Sequence, residues 1–223
     1  MTFDLRCHAL RGDLADVALA GKTFAPHYAE ATLRECAPSF LAMYDKPDGN
    51  QISELLAGEA FGLLDIAGGW AWGYSIHDHY VGYVRADALV MPSGQKQTTA
   101  KSDPVDAASL FLDMPYVWGG RGGAGIDCSG LVQRGFAAAS IAVPRDSDMQ
   151  LAEVGDMLAD DIPLQRGDLI FFPGHVGMMV GSEKLLHATR HHGKTVIEPL
   201  ADVAARVSAI YPQAVAVRKR LSI

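Results

Sequence analysis

The sequence predicts an α+β protein in two parts, a small β-barrel followed by a larger domain in which helices precede a sheet. Three observations predict it. Between residues 31 and 91, short apolar runs alternate with glycine and polar turns at the close spacing of a small barrel. Residues 92–104, PSGQKQTTAKSDP, are polar and bounded by prolines, which is linker composition. Beyond them, apolar residues recur first at helical spacing and then as three runs of strand length.

Taken in order, residues 1–30 form an N-terminal extension with a short helix expected at Asp13–Ala20. In the barrel region, ATLRECAPSFLAMY and EAFGLLDI are strand candidates, and Gly68-Gly69 is a turn signal. WAWGYSI resumes the strand pattern, HDHY makes a polar turn, and VGYV adds a short strand. In residues 105–223, Val105–Leu112 reads as a helix. Leu131, Val132, Phe136 and Ala139 then recur at helical spacing. DLIFF, HVGMMV and KLLHAT follow as strands.

The totals narrow the function. A net charge of −7 argues against a broad nucleic-acid footprint. No apolar run reaches the roughly 18 residues of a membrane span. Asp4, Arg6, His8, Arg11, Asp13 and Asp16 interrupt the first twenty residues, which breaks any signal-peptide core of about 7–15 apolar residues. A cytoplasmic address is expected, or a periplasmic or secreted one if a leader has been removed. Cys7, Cys36 and Cys128 have no CxxC spacing, which argues against a disulfide framework or a zinc ribbon. Cys7 and Cys36 suit the role of small hydrophobes.

Cys128 has a different setting, in GIDCSGLVQRGF behind five glycines. The loop GGRGGAG matches G-x-G-x-x-G at Gly120, Gly122 and Gly125, but Pro115 leaves only a stub of strand before it. The glycines are read instead as letting backbone approach a bound peptide. A helix starting at Asp127–Cys128 presents unpaired N–H groups and a positive dipole end to the sulfur. That predicts a thiol pKa below the reference of about 8.5 and a nucleophile. Such a nucleophile needs a base, and the base an orienter. His175 and His187 lie in two strand candidates joined by Gly181-Ser182-Glu183, and their even separation puts both on one face of a hairpin. A zinc site of Cys128, His175 and His187 lacks a close-spaced ligand pair and an obvious fourth group, so neither metal nor cofactor is expected. His191 and His192 in RHHGK, and His77 and His79 around Asp78, read as surface turns.

PYVWGG (115–120), DCSGLVQ (127–133), PRDSDMQ (144–150), GDLIFF (167–172), HVGMMVG (175–181) and LLHA (185–188) together resemble the NlpC family of bacterial cell-wall cysteine peptidases. EAFGLLDIAGGWAWGYS and HYVGYV are more loosely similar to a bacterial SH3-like domain. The resemblance implies a papain-like cysteine peptidase core preceded by a small SH3-like β-barrel. Cys128 would be the nucleophile, His175 the base, His187 the orienting residue, and Tyr116 a neighbour of the nucleophile. It implies cleavage of muropeptides between γ-D-glutamate and a diamino acid, with a free N-terminal L-Ala received near Asp127, Ser129, Arg145, Asp146 and Ser147. Tyr80 of the barrel would close that pocket. Physical chemistry agrees that an ammonium entering a closed pocket must be paired, by Asp127 or Asp146; Asp127 is equally suited to cap the helix. Trp70, Trp72 and Tyr83 read as barrel core or rim. Two rival functions remain: an inactive muropeptide-binding module, and an acyltransferase using the same Cys and His chemistry.

Overall fold

The computed structural model describes residues 3–94, 101–212 and 216–221. In the N-terminal extension, β1 (Leu14–Asp16) pairs in parallel with β2 (His27–Ala29). The helix expected at Asp13–Ala20 is therefore a strand followed by a single 3-10 turn at Val17–Leu19. Asp16 sets that boundary, because its carboxylate accepts from the Ala18 amide instead of leaving the chain free to continue as a helix.

Seven strands follow: β3 (Thr32–Cys36), β4 (Phe40–Tyr44), β5 (Gln51–Leu56), β6 (Ala60–Ala67), β7 (Trp70–Ser75), β8 (Val81–Arg85) and β9 (Leu89–Val90). They form one antiparallel sheet in the order β5-β4-β8-β7-β6-β3-β9. Gly68 and Gly69 both take positive φ, which lets β6 turn directly into β7. Strand β5, QISELL, went unread in the sequence because Ser53 and Glu54 are buried where alternation would call for apolar residues. Trp70 and Trp72 are buried. The extension belongs to this same unit. The Val81 amide donates to the Arg6 carbonyl, and Arg11 pairs with Asp65 at 2.7 Å while lying over the Trp72 ring.

The chain divides into two compact units between residues 98 and 99. Of the expected linker 92–104, residues 95–100 lie outside the described residues. The second unit opens with α1 (Pro104–Ser109), capped by Asp103 with proline at the first position. Then come α2 (Cys128–Ala138), α3 (Ser147–Glu153), β10 (Asp156–Met157), β11 (Leu169–Phe172), β12 (His175–Met179), β13 (Lys184–Thr189), β14 (Lys194–Pro199), α4 (Leu200–Ile210) and β15 (Val217–Arg220). The six strands form an antiparallel sheet in the order β10-β15-β11-β12-β13-β14.

Strand alternation explains why helices cover both faces of this sheet. Leu169, Phe171, Val176, Met178, Leu186 and Ala188 pack with α1 and α2 residues such as Val105, Leu131 and Phe136. The intervening Ile170, Phe172, Met179 and Leu185 pack with Val203 of α4. The helix-then-sheet order expected from sequence is present. Strands β14 and β15 and helix α4 come in addition to it. Strand β15, VRKR, sits inside the sheet despite its charges because each cation finds an acceptor. Lys219 donates to the Leu151 carbonyl at 2.6 Å, and Arg220 pairs with Asp168 at 2.7 Å. Among the described residues, no helix is long and apolar enough to cross a membrane.

Candidate active site

The site grows from the start of α2. Asp127 is extended (φ −100°, ψ 177°) and its carboxylate accepts from the Gly130 amide at 2.7 Å, so the helix begins at Cys128. The glycines before it serve close approach within the protein. A Cβ on Gly120 would lie 2.5 Å from the Gly125 carbonyl oxygen, and one on Gly130 would lie 2.3 Å from the Gly120 carbonyl oxygen. The loop is folded on itself and on the first turn of α2.

Cys128 is buried, and the Val176 and Ser129 amides are directed at its sulfur. The sulfur therefore touches the backbone of β12 one residue after His175. The expected lowering of its pKa is reversed. Burial, and then the Asp127 carboxylate, push the thiol up to about 12, against the two amides and Arg145. The helix end that should favour a thiolate already holds a carboxylate, and the sulfur is buried. Both effects favour the neutral thiol over the thiolate.

His175 and His187 come together on the hairpin β12–β13, with Nε2 of the first 2.7 Å from Nδ1 of the second. Nε2 of His187 lies 2.8 Å from Oε1 of Glu198, on β14. Arg206 of α4 bonds both oxygens of Glu198, and Nε2 of His192 lies 3.3 Å from Oε2. Burial raises the Glu198 pKa, but hydrogen bonds from Arg206, His187 and His192 outweigh it and hold the carboxyl at about 2. An ionised carboxylate only accepts, so Nε2 of His187 carries its proton. Nδ1 of neutral His187 then accepts from Nε2–H of His175. That leaves Nδ1 of His175 as the bare, basic nitrogen. Burial and the neighbouring His187 pull His175 down to about 3, so the resting imidazole is neutral. Sequence reasoning missed Glu198 because KTVIEP was not read as a strand. The register Leu185↔Glu198 and His187↔Val196 puts Glu198 on the face that carries His187.

The expected substrate-binding residues divide. Tyr116 packs at the edge of the cluster that contains Cys128, and burial, with the Cys128 and Asp127 charges, pushes its hydroxyl up to about 12. Asp127, Ser129 and Arg145 are buried and bonded to one another. Arg145 reaches both Asp127 oxygens at 3.0 and 2.6 Å and the Ser129 hydroxyl at 2.9 Å, and the Gly119 amide adds a further donor at 2.8 Å. Asp127 and Arg145 neutralise each other, and Asp127 is also the helix cap. Asp146 is half-buried at the N-cap position of α3 without capping it. Ser147 lines a cavity of about 320 Å³ with Asp148, Phe172 and Gly174. Tyr80 is buried in the first unit, its amide bonded to the Ser75 hydroxyl and to Asp78. Among the described residues, no group of three or more His, Cys, Asp or Glu side chains is arranged to hold a metal ion.

Several known proteins are similar to this chain. The γ-D-glutamyl-L-lysine dipeptidyl-peptidase of Bacillus cereus is 35% identical over 111 residues, covering 46% of this chain and 33% of that protein. The enzyme of the same name from Bacillus subtilis is 36% identical over 122 residues, covering 51% and 40%. The chain thus matches well under half the length of these relatives. A solved NlpC/P60 family structure from Bacillus cereus aligns with a TM-score of 0.46 at 24% identity, over 85% of this chain and 63% of that one. The sequence pattern of the NlpC/P60 family matches residues 113–210, and that of the bacterial dipeptidyl-peptidase Sh3 domain matches residues 43–89. Cys128, the two histidines and the strands that bear them all fall inside the first of these matches, and the chain therefore carries an NlpC/P60-family domain behind a bacterial Sh3 domain.

Proposed function

We propose that the chain is a cysteine peptidase that hydrolyses the bond between γ-D-glutamate and a diamino acid in peptidoglycan-derived peptides bearing a free N-terminal L-Ala. The observation that carries this reading is the buried Cys128 sulfur against the Val176 amide, one residue from a histidine whose basic nitrogen is set by a chain ending in a carboxylate. Nδ1 of His175 takes the thiol proton as the sulfur attacks the γ-glutamyl carbonyl. Glu198, through His187, stabilises the imidazolium that forms. Backbone donors at the start of α2, the Cys128 amide among them, receive the oxyanion, a contribution of about 3–4 kcal/mol per donor. His175 returns the proton to the departing amine, and water hydrolyses the thioester. With Asp127 occupied by Arg145, Asp146 is the acid assigned to the substrate ammonium. A free amino terminus suits a peptide already released from its glycan, so the cytoplasm is the proposed compartment. Recovery of the protein from the periplasm would overturn that address.

The test is incubation with L-Ala-γ-D-Glu-diaminopimelate, its lysine counterpart and an N-acetylated version, read by mass spectrometry with and without an added amine. Release of L-Ala-D-Glu from the free peptides and loss of cleavage on acetylation are expected, with activity abolished in Cys128→Ala. Undiminished turnover by Cys128→Ala would falsify the assignment. An amide product formed only with added amine would make the protein an acyltransferase.

A further inference from the structure

A γ-linked glutamyl residue has a free α-carboxylate about 5 Å from the carbonyl that is attacked, by standard bond lengths. A site that takes such a residue needs a cation near the nucleophile. The obvious one, Arg145, is spent on Asp127 and Ser129. Arg206 is spent on Glu198, and Lys194 on Asp113. Arg190 is different. It is exposed at the turn between β13 and β14, three residues after His187, and has no acidic partner among the described residues.

What holds Arg190 is aromatic. Its guanidinium lies 4.9 Å from the centre of the Trp118 ring and 5.6 Å from that of Tyr116. Trp118 is itself 55% exposed, uncommon for the largest apolar side chain in a segment beside a buried sulfur. The turn is docked where the nucleophile loop begins. The Tyr116 amide donates to the Gly193 carbonyl at 2.8 Å, and Tyr116 bridges to Ile126, two residues before Cys128. Tyr116 also packs against the cluster that contains Cys128. One of the five guanidinium N–H donors bonds the Tyr116 hydroxyl, and the planar edge that carries the others matches a carboxylate.

We propose that Arg190, laid across Trp118 and Tyr116, receives the free α-carboxylate of the γ-linked glutamyl residue, so that the site distinguishes the acid from its α-amide. This rests on the peptidase reading above and adds the feature by which that peptidase selects its substrate. The amide has the same size but lacks the charge, and it presents an N–H₂ group to a guanidinium that can only donate.

The experiment compares L-Ala-γ-D-Glu-diaminopimelate with its α-amidated counterpart, using the full chain, Arg190→Ala and Arg190→Lys. The unsubstituted protein should cleave the acid with kcat/KM about tenfold to a hundredfold above the amide. Arg190→Ala should bring that ratio close to one by raising KM for the acid alone, with kcat within about twofold. Arg190→Lys, which keeps the charge and loses the fork, should retain part of the preference. If Arg190→Ala changes both substrates equally, or neither, the inference is overturned while the peptidase reading stands. If the unsubstituted protein cleaves neither peptide, both readings fall together.

Discussion

Replacing Glu198 by glutamine takes one negative charge from the far end of the histidine chain and keeps an oxygen that can accept from His187. Glu198 is only 12% exposed and His187 1%, so little solvent screens the change. A hydrogen bond to a charged group is worth about 1.5–3 kcal/mol and a neutral one about 0.5–1.5 kcal/mol. The difference, about 1–1.5 kcal/mol, acts when the imidazolium forms, and lowers kcat by about five- to tenfold. The sign of the pH effect follows from the same charge. Glu198 raises the pKa of both His175 and His187. Its removal lowers them, and the acid limb of kcat/KM moves to lower pH. Glu198→Ala leaves the buried His187 N–H without its acceptor and releases the tautomer, so its loss is larger. The assay is steady-state cleavage across pH for the unsubstituted chain and both variants, with thermal unfolding recorded alongside. Glu198→Gln with unchanged kcat and an unmoved acid limb would refute the relay, even if its stability fell.

Asp127→Ala removes the cap of α2 and leaves Arg145, whose side chain is 1% exposed, without its carboxylate. A loss of about 3–5 kcal/mol in urea unfolding is expected, and a loss below about 1 kcal/mol would show that the pair is not structural. Burial holds Cys128 as a thiol, so alkylation of the free protein by iodoacetamide should keep rising through alkaline pH; a plateau reached below pH 7 would mean a preformed thiolate. The folded pKa of His175 falls from 6.5 to about 3 and that of Glu198 from 4.5 to about 2, so both contributions to stability are lost as pH falls, the first beginning near pH 6.5 and the second near pH 4.5. The Cys128 pKa rises from 9.0 to about 12, so its contribution is lost above pH 9. Thermal unfolding should therefore show its plateau between about pH 6.5 and 9. A maximum near pH 5 would contradict these directions.

Much of the second unit was legible because its chemistry is local. The helix start at Asp127–Cys128 follows from a capping residue, and β11, β12 and β13 are plain apolar runs of strand length. The proximity of His175 and His187 follows from hairpin parity. What escaped depends on partners far along the chain. Glu198 matters through Arg206 and His187, and a strand such as VRKR is tolerable only because Asp168 and the Leu151 carbonyl await it. The protonation state of Cys128 also resisted prediction. A helix dipole can be inferred from sequence, but the burial that overrides it is a property of the packed unit. Asp127 and Arg145 show the same limit, since eighteen residues of separation conceal that each satisfies the other.

Strand β15 lies between β10 and β11 although it is made last of the three. Until residue 220 has left the ribosome, β11 lacks one neighbour and β10 lacks its partner. A nascent chain carrying Cys128 and both histidines thus waits with an open β edge that another chain could zip onto. Stop codons that fall after β13 and before residue 217 should therefore yield insoluble aggregates.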